Sequence, residues 1–207
     1  MKQLLEAVRD RRLGIDEGAR QLAALPCEPL GHTHVDHQRE DRCGESEVVY
    51  AAGKTSEQVV AIAQAIVARS PRLLVTRVDG TTAAMVCAAI PAAVHHERAR
   101  CVTWASAEPP PSRGDVVVVC AGTSDLPVAE EALLAARHGG AQVELIADVG
   151  VAGLHRLLAR LERLRQAETL VVVAGMEGAL PSVVGGLVAC PVIAVPGVAV
   201  DGQVDLA

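Results

Sequence analysis

Apolar and polar positions are patterned most plainly in the second half of the chain. Val116–Cys120, Gln142–Ala147, Thr169–Ala174 and Pro191–Val195 are short, mostly apolar runs. Segments with a helical period lie between them. Pro127 opens a predicted helix through Arg137, and His138-Gly139-Gly140 stops it. Gly153–Arg165 places Leu154, Leu157, Leu158, Leu161 and Leu164 on one face and arginines on the other. A third helix is predicted over Pro181–Val188. Strands that read as unbroken apolar runs are buried on both faces, and strands alternating with helices pair in parallel. The pattern predicts an α/β fold built on a doubly wound parallel sheet, with helices on both faces.

The first half is less regular. Helices are expected from Lys2 to about Arg12 and from Asp16 to Ala24. A polar, His-rich stretch, 31–47, follows and reads as a solvated loop. After the short apolar segment Val48–Ala51, Ser56 precedes Glu57 and Gln58 and a run with Val59, Ile62, Ala63, Ile66 and Val67. That is a helix with a capping signal. Arg72–Val78 and Ala99–Ala105 read as strands, and Thr81–Ala89 as a helix. These make a smaller α/β domain over 1–108. Residues 106–114, SAEPPPSRG, hold three consecutive prolines and are the expected linker, with the regular domain at 115–207.

Composition narrows the function. The chain has 207 residues, a net charge of −6, no Phe, one Trp and one Tyr. An acidic chain with almost no aromatics lacks both the cationic footprint and the stacking platforms of a nucleic-acid binder. No apolar run approaches the ~20 residues of a membrane span. The N-terminus reads as an amphipathic charged helix, not a signal peptide. Cys27, Cys43, Cys87, Cys101, Cys120 and Cys190 form no CxxC pair, so reduced thiols and a cytoplasmic location are expected.

In a doubly wound sheet, ligands bind at the carboxyl ends of the strands. Gly122, Thr123, Ser124 and Asp125 stand at the first such end, where free backbone N–H groups favour phosphate; plain helix capping is the competing reading. Asp148 ends the second strand, and His155 falls on the next helix's first turn. Gly175 and Gly178 flank Met176 and Glu177 at the third. Gly53-Lys54-Thr55 is not a P-loop, because Val48 stands where that pattern needs Gly. His32, His34 and His37 lack cysteine or carboxylate companions at metal-ligand spacing. No nucleophile elbow is visible.

The stretches VDHQREDRCGESEVVYAAGKTSEQ, AGTSDLPVAEEA, DVGVAGLHRLLARL and VVVAGMEGALPSVVGGLVACPVIAVP resemble the LarB-type nickel-pincer cofactor biosynthesis family. The second half also resembles the aminoimidazole ribonucleotide carboxylases (PurE), with a flavodoxin-like three-layer fold. The resemblance implies a pyridinium-3,5-biscarboxylic acid mononucleotide synthase. Such an enzyme carboxylates nicotinic acid adenine dinucleotide at pyridinium C5 with CO2 or bicarbonate and hydrolyses the phosphoanhydride, releasing AMP. It implies a homo-oligomer with no covalently bound cofactor, whose product passes to sulfur-insertion and nickel-insertion proteins. By the same resemblance Gly122–Asp125 and the turn Gly175, Met176, Gly178 hold the substrate. Lys54, Arg39 and Arg42 meet the diphosphate or carboxylates. Asp148 or Glu177 is the base or a Mg2+ ligand, and His155 assists.

After Pro196 the chain departs from the family pattern. The family continues through a Gly-rich stretch to an Asn-Ser-Cys-Ala segment with the nucleophilic cysteine. Here the sequence reads GVAVDGQVDLA, which implies a truncated C-terminal part, and no cysteine matches that motif. A nucleotide-binding remnant without the nucleophile is therefore one alternative. An aminoimidazole ribonucleotide carboxylase or mutase is another, disfavoured because Ala179 stands where those enzymes carry His.

Overall fold

The computed structural model describes residues 2–23, 27–106 and 113–197. Its elements run α1 (Lys2–Arg9), α2 (Ile15–Ala23), β1 (Cys27–Pro29), β2 (His34–Asp36), α3 (Arg39–Cys43), β3 (Val49–Tyr50), α4 (Ser56–Val67), β4 (Arg72–Thr76), α5 (Gly80–Ala89), β5 (Val94–His96) and β6 (Cys101–Ala105). The second half holds β7 (Asp115–Cys120), α6 (Leu126–His138), β8 (Gln142–Ile146), α7 (Leu154–Leu158), α8 (Leu161–Gln166), β9 (Thr169–Ala174), α9 (Ala179–Gly185) and β10 (Val192–Pro196). The core of the expected Pro-rich linker and the chain beyond Gly197 lie outside the described residues.

The second half is the parallel sheet that the apolar runs predict, in the order β10-β9-β7-β8. Alternation along β7 sends its side chains to two cores. Val117 and Val119 pack with Leu157, Leu164, Leu180 and Val184, covered by α7, α8 and α9. Val118 and Cys120 pack with Ala129 of α6 on the opposite face. The chain moves from β7 outward to β8, then crosses back to β9 on the other side of β7. The switch point of this flavodoxin-like sheet is thus between β7 and β9.

The first half forms a four-stranded mixed sheet, β3-β4-β6-β5, and a small β1-β2 hairpin. Helices α4 and α5 cover one face of the mixed sheet through Val59, Ile62, Ile66, Val86 and Ile90. The other face meets α6: Leu134 packs on Leu74, Ala99 and Cys101. Helix α6 is therefore shared between the two sheets. Ion pairs Arg77–Glu131 and Arg98–Glu130 flank it.

Several elements differ from the sequence pattern. The cap of α4 is Thr55, not Ser56: its hydroxyl accepts from Gln58 N while Gln58 accepts from Thr55 N. The polar stretch 31–47 contains β2 and α3. The leucine-rich segment is not one helix. It begins as a 3₁₀ turn, Val151–Gly153, and breaks at Ala159-Arg160 between α7 and α8. Only Leu157 and Leu164 of its five face leucines are fully buried; Leu154 and Leu158 stay exposed.

Candidate functional site

The carboxyl ends of β7, β8, β9 and β10 form one edge, and the loops leaving them are tied together. Asp125 is the tie. Its carboxylate is 4% exposed. Oδ2 accepts from Gly122 N at 2.9 Å in its own loop, and Oδ1 accepts from Gly175 N at 3.1 Å in the loop after β9. The carboxylate thus bridges the switch point. Two charge-assisted bonds to backbone fix how far apart these loops stand. Asp125, expected to meet ribose or phosphate, is seen here in a structural role, each of its oxygens receiving one backbone N–H.

The other strand ends join the same arrangement. Gly197 N donates to Ala174 O at 2.8 Å. A side-chain carbon at Gly197 would lie 2.4 Å from Asp125 Oδ1 and 2.6 Å from Gly175 N. Neither neighbour can move without breaking the tie. Gly197→Ala is expected to cost about 2 kcal/mol in urea unfolding through overpacking, and an unchanged midpoint would contradict this close approach. On the β8 side, Val149 N and Gly150 N donate to Cys120 O and Ala121 O at 3.2 and 3.1 Å.

Around this pinned floor stands an exposed rim. Thr123 and Ser124 occupy the 3₁₀ turn that leads into α6, and both are exposed. The turn after β9 presents Met176, 86% exposed, then Glu177 and Gly178. Met176 and Gly178 both adopt left-handed backbone, φ 52° and 63°. That conformation is costly for Met and natural for Gly, and it turns the chain sharply beside Glu177. Asp148 is also left-handed, φ 61°. Its exposed carboxylate is paired with Arg156, whose guanidinium folds back over Gly153. The expected role of Asp148 as a free base therefore meets an ion pair. His155 is exposed on the same edge, in the first turn of α7.

The remaining expected residues stand elsewhere in the chain. Lys54 follows β3; Nζ donates to Tyr50 O at 2.7 Å and lies 6.0 Å from the Tyr50 ring centroid. Arg42 is paired with Asp36, and Arg39 begins α3. Glu40 of α3 pairs with Arg72, which donates to the His138 carbonyl at the far end of α6. Helix α6 has 13 residues, so that end is about 20 Å from the Asp125 end. Within one chain, Arg39 and Arg42 are not brought to the strand-end rim.

Sequence reasoning missed Arg156 and Gly197. Arg156 carries a faint signal, a cation one residue after His155 in the helix that follows Asp148. Gly197 carries none, since its importance comes from contacts with two other loops.

Cysteine and metal chemistry can be placed too. Cys120 ends β7 but is buried, and burial pushes its thiol pKa up. Cys190 precedes β10 and so lies at the opposite edge of the sheet. Among the described residues no group of three or more His, Cys, Asp or Glu is placed to hold a metal ion. With Asp148 paired to Arg156, the donor set here does not fit the Mg2+ that the resemblance allows. Among the described residues no helix is long and apolar enough to cross a membrane.

Comparison with known proteins bears on the whole chain. Residues 27–106 match the LarB/PurE-like N-terminal domain, and residues 115–207 match the AIR carboxylase domain. The chain is similar to uncharacterized protein MJ0165 of Methanocaldococcus jannaschii, 30% identical over 205 residues, which cover 95% of this chain and 80% of that one. It is also similar to the N5-carboxyaminoimidazole ribonucleotide mutase of the same organism, 33% identical over 93 residues, or 44% of this chain and 55% of the mutase. With both domain models matched in succession and the carboxylase half folded as a flavodoxin-like sheet, the chain belongs to the LarB-type family of carboxylase-like proteins related to PurE.

Proposed function

We propose that the strand-end rim binds nicotinic acid adenine dinucleotide and serves its carboxylation at pyridinium C5, with hydrolysis of the phosphoanhydride to AMP and pyridinium-3,5-biscarboxylic acid mononucleotide. The observation that carries this reading is the Asp125 bridge across the switch point. It holds a Thr-Ser turn at the start of α6 beside a glycine-flanked turn bearing Glu177. Thr123 and Ser124 hydroxyls and the first N–H groups of α6 face a phosphate there. The turn at Gly175–Gly178 lets a flat ring approach backbone, which matters in a chain with one Trp and one Tyr.

The chemistry sets what the residues must do. A pyridinium ring is electron-poor and does not attack CO2. Since no cysteine of the chain stands exposed at the rim, a thiol co-reactant adds to the ring as its thiolate and makes C5 enamine-like, and C5 then forms the new C–C bond with CO2. The C5 proton leaves to a base and the thiolate departs, restoring the ring. Separately, water cleaves the phosphoanhydride to AMP. Glu177 takes the C5 proton in this proposal, and His155 takes the proton of the water that cleaves the phosphoanhydride. Asp125 is a positioning residue, and Arg156, oriented by Asp148, is the cation of this edge. No step is routed through Mg2+. The setting is a reducing cytoplasm and a homo-oligomer, with sulfur- and nickel-inserting proteins downstream.

A second reading has its own observation. Among the described residues no exposed cysteine stands at the rim, so the chain binds the dinucleotide without turning it over. Incubation with nicotinic acid adenine dinucleotide and ¹³C-bicarbonate separates the readings by mass spectrometry. Labelled mononucleotide with AMP supports carboxylation. Saturable binding with neither product supports the second reading. Turnover of N5-carboxyaminoimidazole ribonucleotide in place of the dinucleotide overturns both.

A further inference from the structure

Helix α6 lies between the two sheets, and both sheets extend past it. On one side Leu133 of α6, Leu145 of β8 and residues 96–99, which end β5 and lead into β6, line one cleft. Strands β8 and β5 are edges of their sheets. The other side of α6 is therefore bounded by the opposite edges, β3 of the mixed sheet and β9 and β10 of the parallel sheet. That is the side of the switch point, where the turn with Gly175 and Glu177 leaves β9.

Strand β3 turns an aromatic ring to this side. Val49 and Ala51 pack into the core under α4 and α5, so alternation sends Tyr50 to the face of α6. The register sets Tyr50 beside Thr76 of β4, and the residue is 56% exposed. Tyr50 and Trp104 are the chain's two aromatic residues, and Trp104 packs against the core under α4 and α5. Lys54 stands by the Tyr50 ring: Nζ donates to Tyr50 O at 2.7 Å and lies 6.0 Å from the ring centroid. Lys54 makes no ion pair among the described residues. Carboxylates of the adjoining elements are engaged elsewhere: Asp79 accepts from Thr82 N and Oγ1, and Glu131 pairs with Arg77. Arg77 follows Thr76 in the chain. Its partner Glu131 is six residues along α6 from Asp125, about 9 Å. Tyr50 stands one strand further on, about 5 Å. An extended dinucleotide with a phosphate at the start of α6 covers that separation.

We propose, on the reading of the rim as a dinucleotide site, that Tyr50 and Lys54 form its adenosine subsite. The Tyr50 ring stacks the purine, and Lys54 meets the adenosine phosphate. An aromatic face accepts any flat base, and a cation without an acidic partner beside it adds the phosphate. The two nucleoside halves are then held by different domains: the pyridinium half by the parallel sheet, the adenosine half by the mixed sheet. AMP, the leaving half of the phosphoanhydride cleavage, is what the first domain retains.

The full chain is titrated calorimetrically, without bicarbonate or thiol, with nicotinic acid adenine dinucleotide, AMP and nicotinic acid mononucleotide. The same titrations are made on Tyr50→Ala, Tyr50→Phe and Lys54→Gln, with the melting temperature of each. Both positions are exposed, so the variants should melt as the wild type does. Tyr50→Ala should weaken the dinucleotide and AMP at least tenfold and leave the mononucleotide unchanged. Tyr50→Phe, which keeps the ring, should bind all three as the wild type does. Lys54→Gln should weaken the dinucleotide and AMP severalfold and spare the mononucleotide. The subsite is overturned if Tyr50→Ala binds the dinucleotide as the wild type does, or if its affinity for the mononucleotide falls by the same factor. A wild type that binds AMP through Tyr50 but not the dinucleotide would keep the subsite and overturn the reading of the rim. A wild type that binds neither would overturn both.

Discussion

Asp125→Asn should lower the stability of the chain by about 2–4 kcal/mol, a large effect for an acid-to-amide change at a loop residue. The reason is the count of acceptors. The carboxylate receives two backbone N–H groups, from Gly122 and Gly175, on its two oxygens. An amide offers one acceptor oxygen and turns an NH2 group toward the other N–H. One backbone donor then loses its partner, and the tie across the switch point opens. The measurement is urea unfolding, read as a shift in midpoint with unchanged slope. Were Asp125 a ligand contact only, Asp125→Asn would leave the free protein's midpoint where it is. That result would remove the bridge from the description.

The second large effect is on acid stability. His138 ends α6, is 8% exposed and shares a hydrogen bond of 3.1 Å with Ser46. Burial first, and the Arg72 charge second, push its pKa from the ordinary 6.5 down to about 4, while Glu40 acts the other way. The neutral imidazole is therefore part of the folded state. The unfolded chain takes up a proton at pH 6.5 and the folded one does not until about 4. Stability is fully present above pH 6.5 and is lost as pH falls through that window, by about 3 kcal/mol from this group. His138→Gln keeps a hydrogen-bonding group and removes the titration. The urea midpoint should then fall less between pH 7.5 and pH 4.5 in the variant than in the wild type. Equal falls in the two proteins would show that the imidazole is not held neutral.

Much of the fold is legible in the sequence because burial on both faces writes itself as unbroken valine. Thr169–Ala174 is found to the residue, and Val116–Cys120 to within one residue. Short elements are not legible. His34–Asp36 and Val94–His96 are three-residue strands with one valine and two polar residues each, and only their neighbours make them strands. The break at Ala159-Arg160 is hidden because leucine spacing is the same whether one helix or two carries it. The site is legible as a set of loops, since strand ends with Gly, Thr, Ser and Asp can be found by counting. What Asp125 does is not legible. Its partner at Gly175 is 50 residues away, and a capping carboxylate and a bridging one have the same local sequence. Arg39 and Arg42 fail in the opposite way: their proximity to the rim is an expectation of resemblance, and within the chain they sit at the other end of α6.

The placement of the dinucleotide at the switch point is tested most directly at Ser124. This exposed residue makes no side-chain hydrogen bond or ion pair among the described residues, and it stands at the positive end of α6. A carboxylate there favours the helix and repels a phosphate. Nicotinic acid adenine dinucleotide is titrated calorimetrically into the wild type and into Ser124→Asp, with the melting temperature of each recorded. The expected result is saturable binding to the wild type and at least tenfold weaker binding to Ser124→Asp, with the melting temperature of the variant equal or higher. Equal affinity in the two proteins, or no binding to the wild type, would contradict the assignment of the rim as the nucleotide site.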